Sequence, residues 1–184
     1  MSDARSRRVF FALWPDDAAS SHLSALAQDL AARGGGRVMR PESLHLTLAF
    51  VGSVAADRIP LLEDIAGALR AGSFELRLDR LGFWPQRGIL WAGCRQPPAP
   101  LRRLAGTLAT DLRAAGFAID HRSGADLAPH VTLARRARCA SLPRLGTPIN
   151  WQVGEFALVE SQLQPSAASY RTLARFPLAQ TGAE

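Results

Sequence analysis

Two five-residue stretches decide how this chain folds: His45-Leu46-Thr47-Leu48-Ala49 and His130-Val131-Thr132-Leu133-Ala134. On a β-strand, residues i and i+2 project to one face and the residues between them to the other. His45 and Thr47 therefore share a face, with Leu46 and Leu48 turned into an apolar underside. His130 and Thr132 stand in the same relation to Val131 and Leu133. Each stretch is expected to be a strand that presents an imidazole beside a hydroxyl on one side and packs a core on the other.

Working outward, each stretch closes a repeated unit. Val9-Phe10-Phe11-Ala12 reads as a buried strand and is followed by Pro15, a helix, a glycine stop and then the first His-x-Thr stretch. Ile89-Leu90-Trp91-Ala92 is followed by the prolines at 97, 98 and 100, a helix, a glycine stop and then the second. The first helix has Asp16 or Asp17 as its cap, an apolar face of Leu23, Leu26, Ala27 and Leu30, and Gly34-Gly35-Gly36 as its end. The third carries Leu101, Leu104, Leu108 and Leu112 and stops near Gly116. Between the units, Asp57 is expected to cap a second helix bearing Ile59, Leu62, Ile65, Ala66 and Leu69, with Pro60 in its first turn. Phe74, Leu76 and Leu78 alternate with charged residues as a half-buried strand does. Late strands are expected around 153–163 and 170–178. The alternation of strands and helices predicts a mixed α/β (α+β) class, with residues 1–184 forming a single domain of two pseudo-symmetric lobes.

Composition bounds the chemistry. The 184 residues carry 22 basic side chains against 16 acidic ones, a net charge of +6, and every basic residue is arginine. With no lysine in the chain, a Schiff-base lysine, a P-loop lysine and a lysine that carries a nucleotidyl group are all excluded. Guanidinium groups stay charged at any working pH, so the surface favours anionic partners, nucleic acid or phosphorylated small molecules first. A genome that writes arginine for lysine throughout explains the total equally well. The hydrophobic share of 47% and charged share of 21% are those of a soluble globular protein. Cys94 and Cys139 are widely spaced and offer neither a disulfide framework nor zinc-ligand spacing. The polar, arginine-rich start lacks a signal core, and no run approaches the ~20 apolar residues of a membrane helix. A cytoplasmic location, no membrane partner and a monomer are expected.

Two imidazoles opposed across a cleft are equipped for in-line displacement at phosphorus. One takes a proton from the nucleophile while the other gives one to the leaving oxygen, and histidine is the side chain that titrates near neutrality. The two threonine hydroxyls can donate to the non-bridging phosphate oxygens. This chemistry requires no metal, no cofactor and no covalent nucleophile. A single His-x-Thr is ordinary strand sequence; two, at matching places in a repeated unit, point to function.

The paired motifs resemble the signature tetrapeptides of the 2H phosphoesterase superfamily, and the chain is most similar to its bacterial and archaeal RNA 2′,3′-cyclic phosphodiesterases, the 2′-5′ RNA ligase-like family. Arg8-Val9-Phe10-Phe11-Ala12-Leu13, Arg40-Pro41-Glu42-Ser43-Leu44, Glu160-Ser161-Gln162-Leu163 and Tyr170-Arg171-Thr172-Leu173 resemble its flanking strands. The resemblance implies a two-lobed fold with pseudo-two-fold symmetry, antiparallel sheets lining a central cleft and helices outside. It implies metal-independent hydrolysis of RNA 2′,3′-cyclic phosphate ends to 2′-phosphomonoesters, with 2′-5′ ligation as the reverse reaction. It further implies that His45 protonates the departing O3′, that His130 is the proton acceptor for water, and that Thr47, Thr132 and Arg135 hold phosphate oxygens. Tyr170 matches a family tyrosine, but a core or rim tyrosine is the expected reading. Leu127 and Ala167-Ala168 depart from the family pattern.

Three functional readings follow. The first is the RNA 2′,3′-cyclic phosphodiesterase. The second is a phosphodiesterase for a small cyclic nucleotide or an ADP-ribose cyclic phosphate. The third is a non-catalytic module that grips an RNA end. Arg136 and Arg138 are candidate outer contacts to an RNA backbone. His22 is expected on the solvent side of the first helix and His121 in a surface loop, while Trp14, Phe83 and Trp84 are read as core plugs outside the site.

Overall fold

The fold starts from the alternation in the opening strand, whose odd-numbered residues Val9, Phe11 and Leu13 join the main core while Phe10 and Ala12 join a second, smaller cluster on the other face. The computed structural model describes residues 6–120, 128–139, 141–163 and 168–180; His121, Leu127 and Ala167 lie outside this set. In chain order the elements are β1 (Ser6–Leu13), α1 (Asp17–Gly34), β2 (Arg37–Val38), a 3-10 turn (Pro41–Ser43), β3 (Leu46–Ala55) and a second 3-10 turn (Ala56–Arg58). They continue with α2 (Ile59–Ala68), β4 (Phe74–Leu78), β5 (Arg80–Trp84), β6 (Ile89–Gly93) and α3 (Ala99–Ala114). The chain closes with β7 (His130–Arg135), β8 (Ile149–Val153), β9 (Glu155–Leu163) and β10 (Ala168–Pro177).

Seven strands form one sheet in the order β10-β9-β1-β3-β7-β6-β5, with β2 also pairing on β7. Every pairing within it is antiparallel. The two His-x-Thr strands are its centre: β3 and β7 meet at Leu46 and Val131, with β1 on the far side of one and β6 on the far side of the other. The antiparallel pairs β1–β3 and β6–β7 are thus joined through β3 and β7 at the middle of a single sheet. A separate two-stranded sheet pairs β4 with β8.

The helices cover the face of the sheet that carries Leu46, Leu48, Val131 and Leu133, all fully buried. Helix α1 buries Ala19, Leu23, Ala27 and Leu30, one side of a 3.6-residue period. The Asp16 carboxylate accepts from the Ala19 N–H at 2.8 Å as the N-cap and from the Gln152 N–H at 3.1 Å, so one side chain starts α1 and ties it to β8. Gly35, at φ 63, ends the helix in the left-handed region where a side chain would be strained.

Two expectations need correction. Asp57 does not cap α2: it sits inside the 3-10 turn Ala56–Arg58; Arg58 is the cap residue, and its side chain makes no capping hydrogen bond. The late strand expected over 153–163 is broken at Gly154, whose carbonyl instead accepts from Leu178, so β8 and β9 belong to different sheets. Phe83 and Trp84 lie on a strand of their own, β5, that pairs with β6. Among the described residues, no helix is long and apolar enough to cross a membrane.

Candidate active site

The cleft face of the central strands is set by two matching irregularities. Along β1 and β3, Ala12 pairs with Thr47 but Phe11 pairs with Ala49, so Leu48 has no residue opposite it. Along β6 and β7, Trp91 pairs with Thr132 but Leu90 pairs with Ala134, so Leu133 is left over in the same way. A bulge of this kind advances the alternation by one residue. Leu48 and Ala49 both face the core, as do Leu133 and Ala134. The next residue in each strand then returns to the cleft: Phe50 in one half and Arg135 in the other. Three residues after Thr132, Arg135 would face the core in a regular strand; the bulge brings it beside Thr132.

Each histidine is fixed by the backbone just before it. The His45 Nδ1 lies 2.8 Å from the Ser43 carbonyl, and the His130 Nδ1 lies 2.8 Å from the Ala128 carbonyl. A carbonyl only accepts, so Nδ1–H donates in both rings and Nε2 is the nitrogen that can take or give a proton. Burial of Ser43 and of Leu44 holds the first of these turns in place, and the 3-10 turn Pro41–Ser43 directs the Ser43 carbonyl back at the ring.

Aromatic side chains wall both imidazoles. Phe10, Tyr170 and Trp14 have ring centroids 5.0, 4.9 and 5.5 Å from that of His45. Trp84 and Trp91 stand 4.6 and 6.2 Å from His130. Trp84, expected as a core plug, lines the smaller cavity instead, while Trp14 packs on the His45 ring and lines neither cavity. Sequence reasoning misses them because the pairing of β5 on β6 and the turn after β1 are tertiary facts. Tyr170 lies against His45, closer to the site than a core reading gives.

His45 is half-buried, and burial lowers its pKa from 6.5 to about 4. The hydrogen bond to the Ser43 carbonyl opposes this shift, while the charges of Arg135 and His130 add to it. In the free protein His45 is therefore a neutral imidazole at pH 7.

Two cavities of about 540 and 370 Å³ meet here, sharing Ser43, His45, Thr47, Phe50 and Arg135 in their walls. The smaller also carries His130, Thr132 and Trp84, so the five residues expected at the site, His45, Thr47, His130, Thr132 and Arg135, line one space. Neither Arg136 nor Arg138 lines either cavity, and His22 is exposed on α1. Among the described residues, no group of three or more His, Cys, Asp or Glu gathers as a metal site would require.

The family profile described as LigT like Phosphoesterase matches residues 13–91. The RNA 2′,3′-cyclic phosphodiesterase of Escherichia coli is 36% identical over 79% of this chain and 81% of its own. That of Thermus thermophilus is 30% identical over 93% of this chain and 90% of its own. Among solved structures, E. coli LigT complexed with 3′-AMP superposes with a TM-score of 0.84 at 32% identity, over 96% of this chain and all of that one.

Proposed function

The chain belongs to the LigT-like phosphoesterases of the 2H superfamily, and from that premise we propose that it is an RNA 2′,3′-cyclic phosphodiesterase that opens the cyclic end to a 2′-phosphomonoester. The observation that carries this reading is the pairing of two imidazoles, each held through Nδ1 and each beside a threonine, in one cleft with Arg135. Neutral His130 accepts at Nε2 the proton of a water that attacks phosphorus in line with the P–O3′ bond. His45, protonated at Nε2, gives its proton to O3′ as that bond breaks. Thr47, Thr132 and Arg135 donate to the non-bridging oxygens, whose negative charge persists through the transition state. With a 5′-hydroxyl in place of water the same steps form a 2′-5′ linkage, and no lysine-bound nucleotide is involved.

The proton-donor role requires His45 to be charged, whereas in the free protein it is neutral. The substrate resolves this: an anionic phosphate beside the imidazole favours its charged form and raises its pKa. The aromatic cage of Phe10, Trp14 and Tyr170 excludes water from around the ring, which strengthens that coupling.

The deciding experiment is product analysis with RNA ending in a 2′,3′-cyclic phosphate, in the presence and absence of chelator. Release of 2′-phosphate at an unchanged rate with chelator is expected. Appearance of 3′-phosphate, or loss of turnover on metal removal, overturns the mechanism. His45→Ala and His130→Ala are each expected to cost ~10²–10⁴-fold in kcat. Tight binding of the cyclic end without any turnover would instead support the non-catalytic module.

A further inference from the structure

The larger arm of the cleft holds more positive charge than one cyclic phosphate uses. Among the described residues, its wall contains Arg8, Arg37, Arg40 and Arg135 and no carboxylate. Arg135 accounts for the reacting phosphate, which carries a single negative charge. The others lie on the side of His45 that the nucleoside occupies if His45 protonates O3′. Arg8 is two residues along β1 from Phe10, whose ring packs on His45, so its Cα is ~7 Å further out along the strand. Its guanidinium lies over the Phe50 ring, 4.7 Å from the centroid, which holds a flexible exposed side chain in the wall of the arm. Arg37 stands directly opposite Arg135 in the β2–β7 register.

Nearby carboxylates leave Arg8 and Arg40 available to a ligand. Glu160, on the neighbouring strand β9, is engaged by Arg171 at 2.7 and 3.0 Å and lies 3.8 Å from Arg7. Arg40 pairs with Glu42 at 3.3 Å, but both side chains are more than half exposed, and such a pair is weak and readily exchanged for a phosphate. An arm whose charged wall residues are all arginines, leading away from the nucleoside side of the reacting centre, is built for a second anion.

We infer that Arg8 and Arg40 bind the phosphate on the 5′-oxygen of the cyclised nucleotide, so that the enzyme selects ends carrying that phosphate over a bare nucleoside cyclic phosphate. This rests on the reaction proposed above and assigns the arm beside His45 to the substrate strand. The same chemistry is offered by a 5′-phosphomonoester and by the phosphodiester to the preceding nucleotide. RNA supplies the second, and each further phosphate held by arginine steepens the salt dependence of binding, by ~0.7 in the log–log slope for a single strand.

The test compares three substrates: adenosine 2′,3′-cyclic phosphate, the same compound carrying a 5′-phosphate, and the dinucleotide ApA with a 2′,3′-cyclic end. In the wild-type protein kcat/KM is expected to rise by on the order of tenfold when the 5′-phosphate is added. The increase should appear in KM and shrink with salt. In the Arg8→Gln/Arg40→Gln double variant the ratio of the phosphorylated to the bare substrate should fall to near one. Equal kcat/KM for the bare and 5′-phosphorylated compounds in the wild type overturns the inference, as does a ratio unchanged in the double variant. A gain seen only with the dinucleotide also overturns it, since the contact then lies with the upstream nucleoside. Failure of the wild type to open any of the three would count against the reaction itself, a result distinct from each of these.

Discussion

His45 is the residue on which stability and the proposed mechanism make opposite demands. Folding places it against Phe10, Trp14 and Tyr170, and burial lowers its pKa from 6.5 to about 4. Between those values the unfolded chain binds a proton that the folded protein does not, so stability rises with pH through this window and is lost as pH falls from about 6.5 to about 4. The contribution is on the order of 3 kcal/mol. Urea unfolding at pH 7.5 and pH 4.5 should show this loss in the wild type and a smaller one in His45→Gln; equal losses would remove His45 as the cause. In the proposed mechanism catalysis requires the charge that folding disfavours, and the bound phosphate would supply the compensation. The alkaline limb of the kcat profile should therefore lie at higher pH than that of kcat/KM, because kcat reports the complex and kcat/KM the free protein. Coincident alkaline limbs would show that substrate binding does not recharge the ring.

At the scale of the element, the strands supply more than the motif they carry. The alternation of His45 with Leu46 and Thr47 with Leu48 is legible in the sequence because it needs only the period of two. The orientation of Phe50 and Arg135 is not, because it depends on the unmatched Leu48 and Leu133, and a bulge is fixed by pairing with another strand. The repeat itself is legible, but its register is not: pairing sets Leu90 in the place of Phe11 and Trp91 in the place of Ala12, one residue away from matching Val9 with Ile89. Trp84 and Trp91 are unreadable as site residues for the same reason. Their placement rests on Gly82, where an added Cβ would meet the Trp91 ring at 1.9 Å. Gly82→Ala should cost about 1–3 kcal/mol by overpacking and also lower kcat by displacing Trp91 from beside His130. Gly106, inside α3 with open space around it, makes the contrast. Gly106→Ala should leave kcat unchanged and raise stability by ~0.5–1 kcal/mol. Thermal unfolding and steady-state rates on the two variants decide both, and an unperturbed Gly82→Ala would remove Trp91 as a support of His130.

Across the whole molecule, the two halves are bound together more tightly than a duplicated sequence suggests. Helix α1 belongs to the first repeat yet packs on β7 and β8, while α3 belongs to the second and packs on β3. The small sheet pairs β4, which follows the first repeat, with β8, which follows the second, through five consecutive residue pairs. Each His-x-Thr strand thus has its apolar underside covered partly by the helix of the other half. The main core runs without interruption from Val9 through Leu48, Leu90 and Leu133 to Phe156. Neither half can expose its share of that core without stripping the other, so we propose that the two lobes unfold as one unit. Far-ultraviolet circular dichroism reports the strands and helices, and tryptophan fluorescence reports Trp14 in one half, Trp84 and Trp91 in the other, and the buried Trp151 of β8 in the small sheet. The two signals should trace a single coincident transition in denaturant. An early fluorescence change ahead of the backbone signal would mean that the halves separate first. The proposed mechanism needs this coupling, because an acid on one repeat and a base on the other can act on one phosphorus atom only while β3 and β7 hold their register.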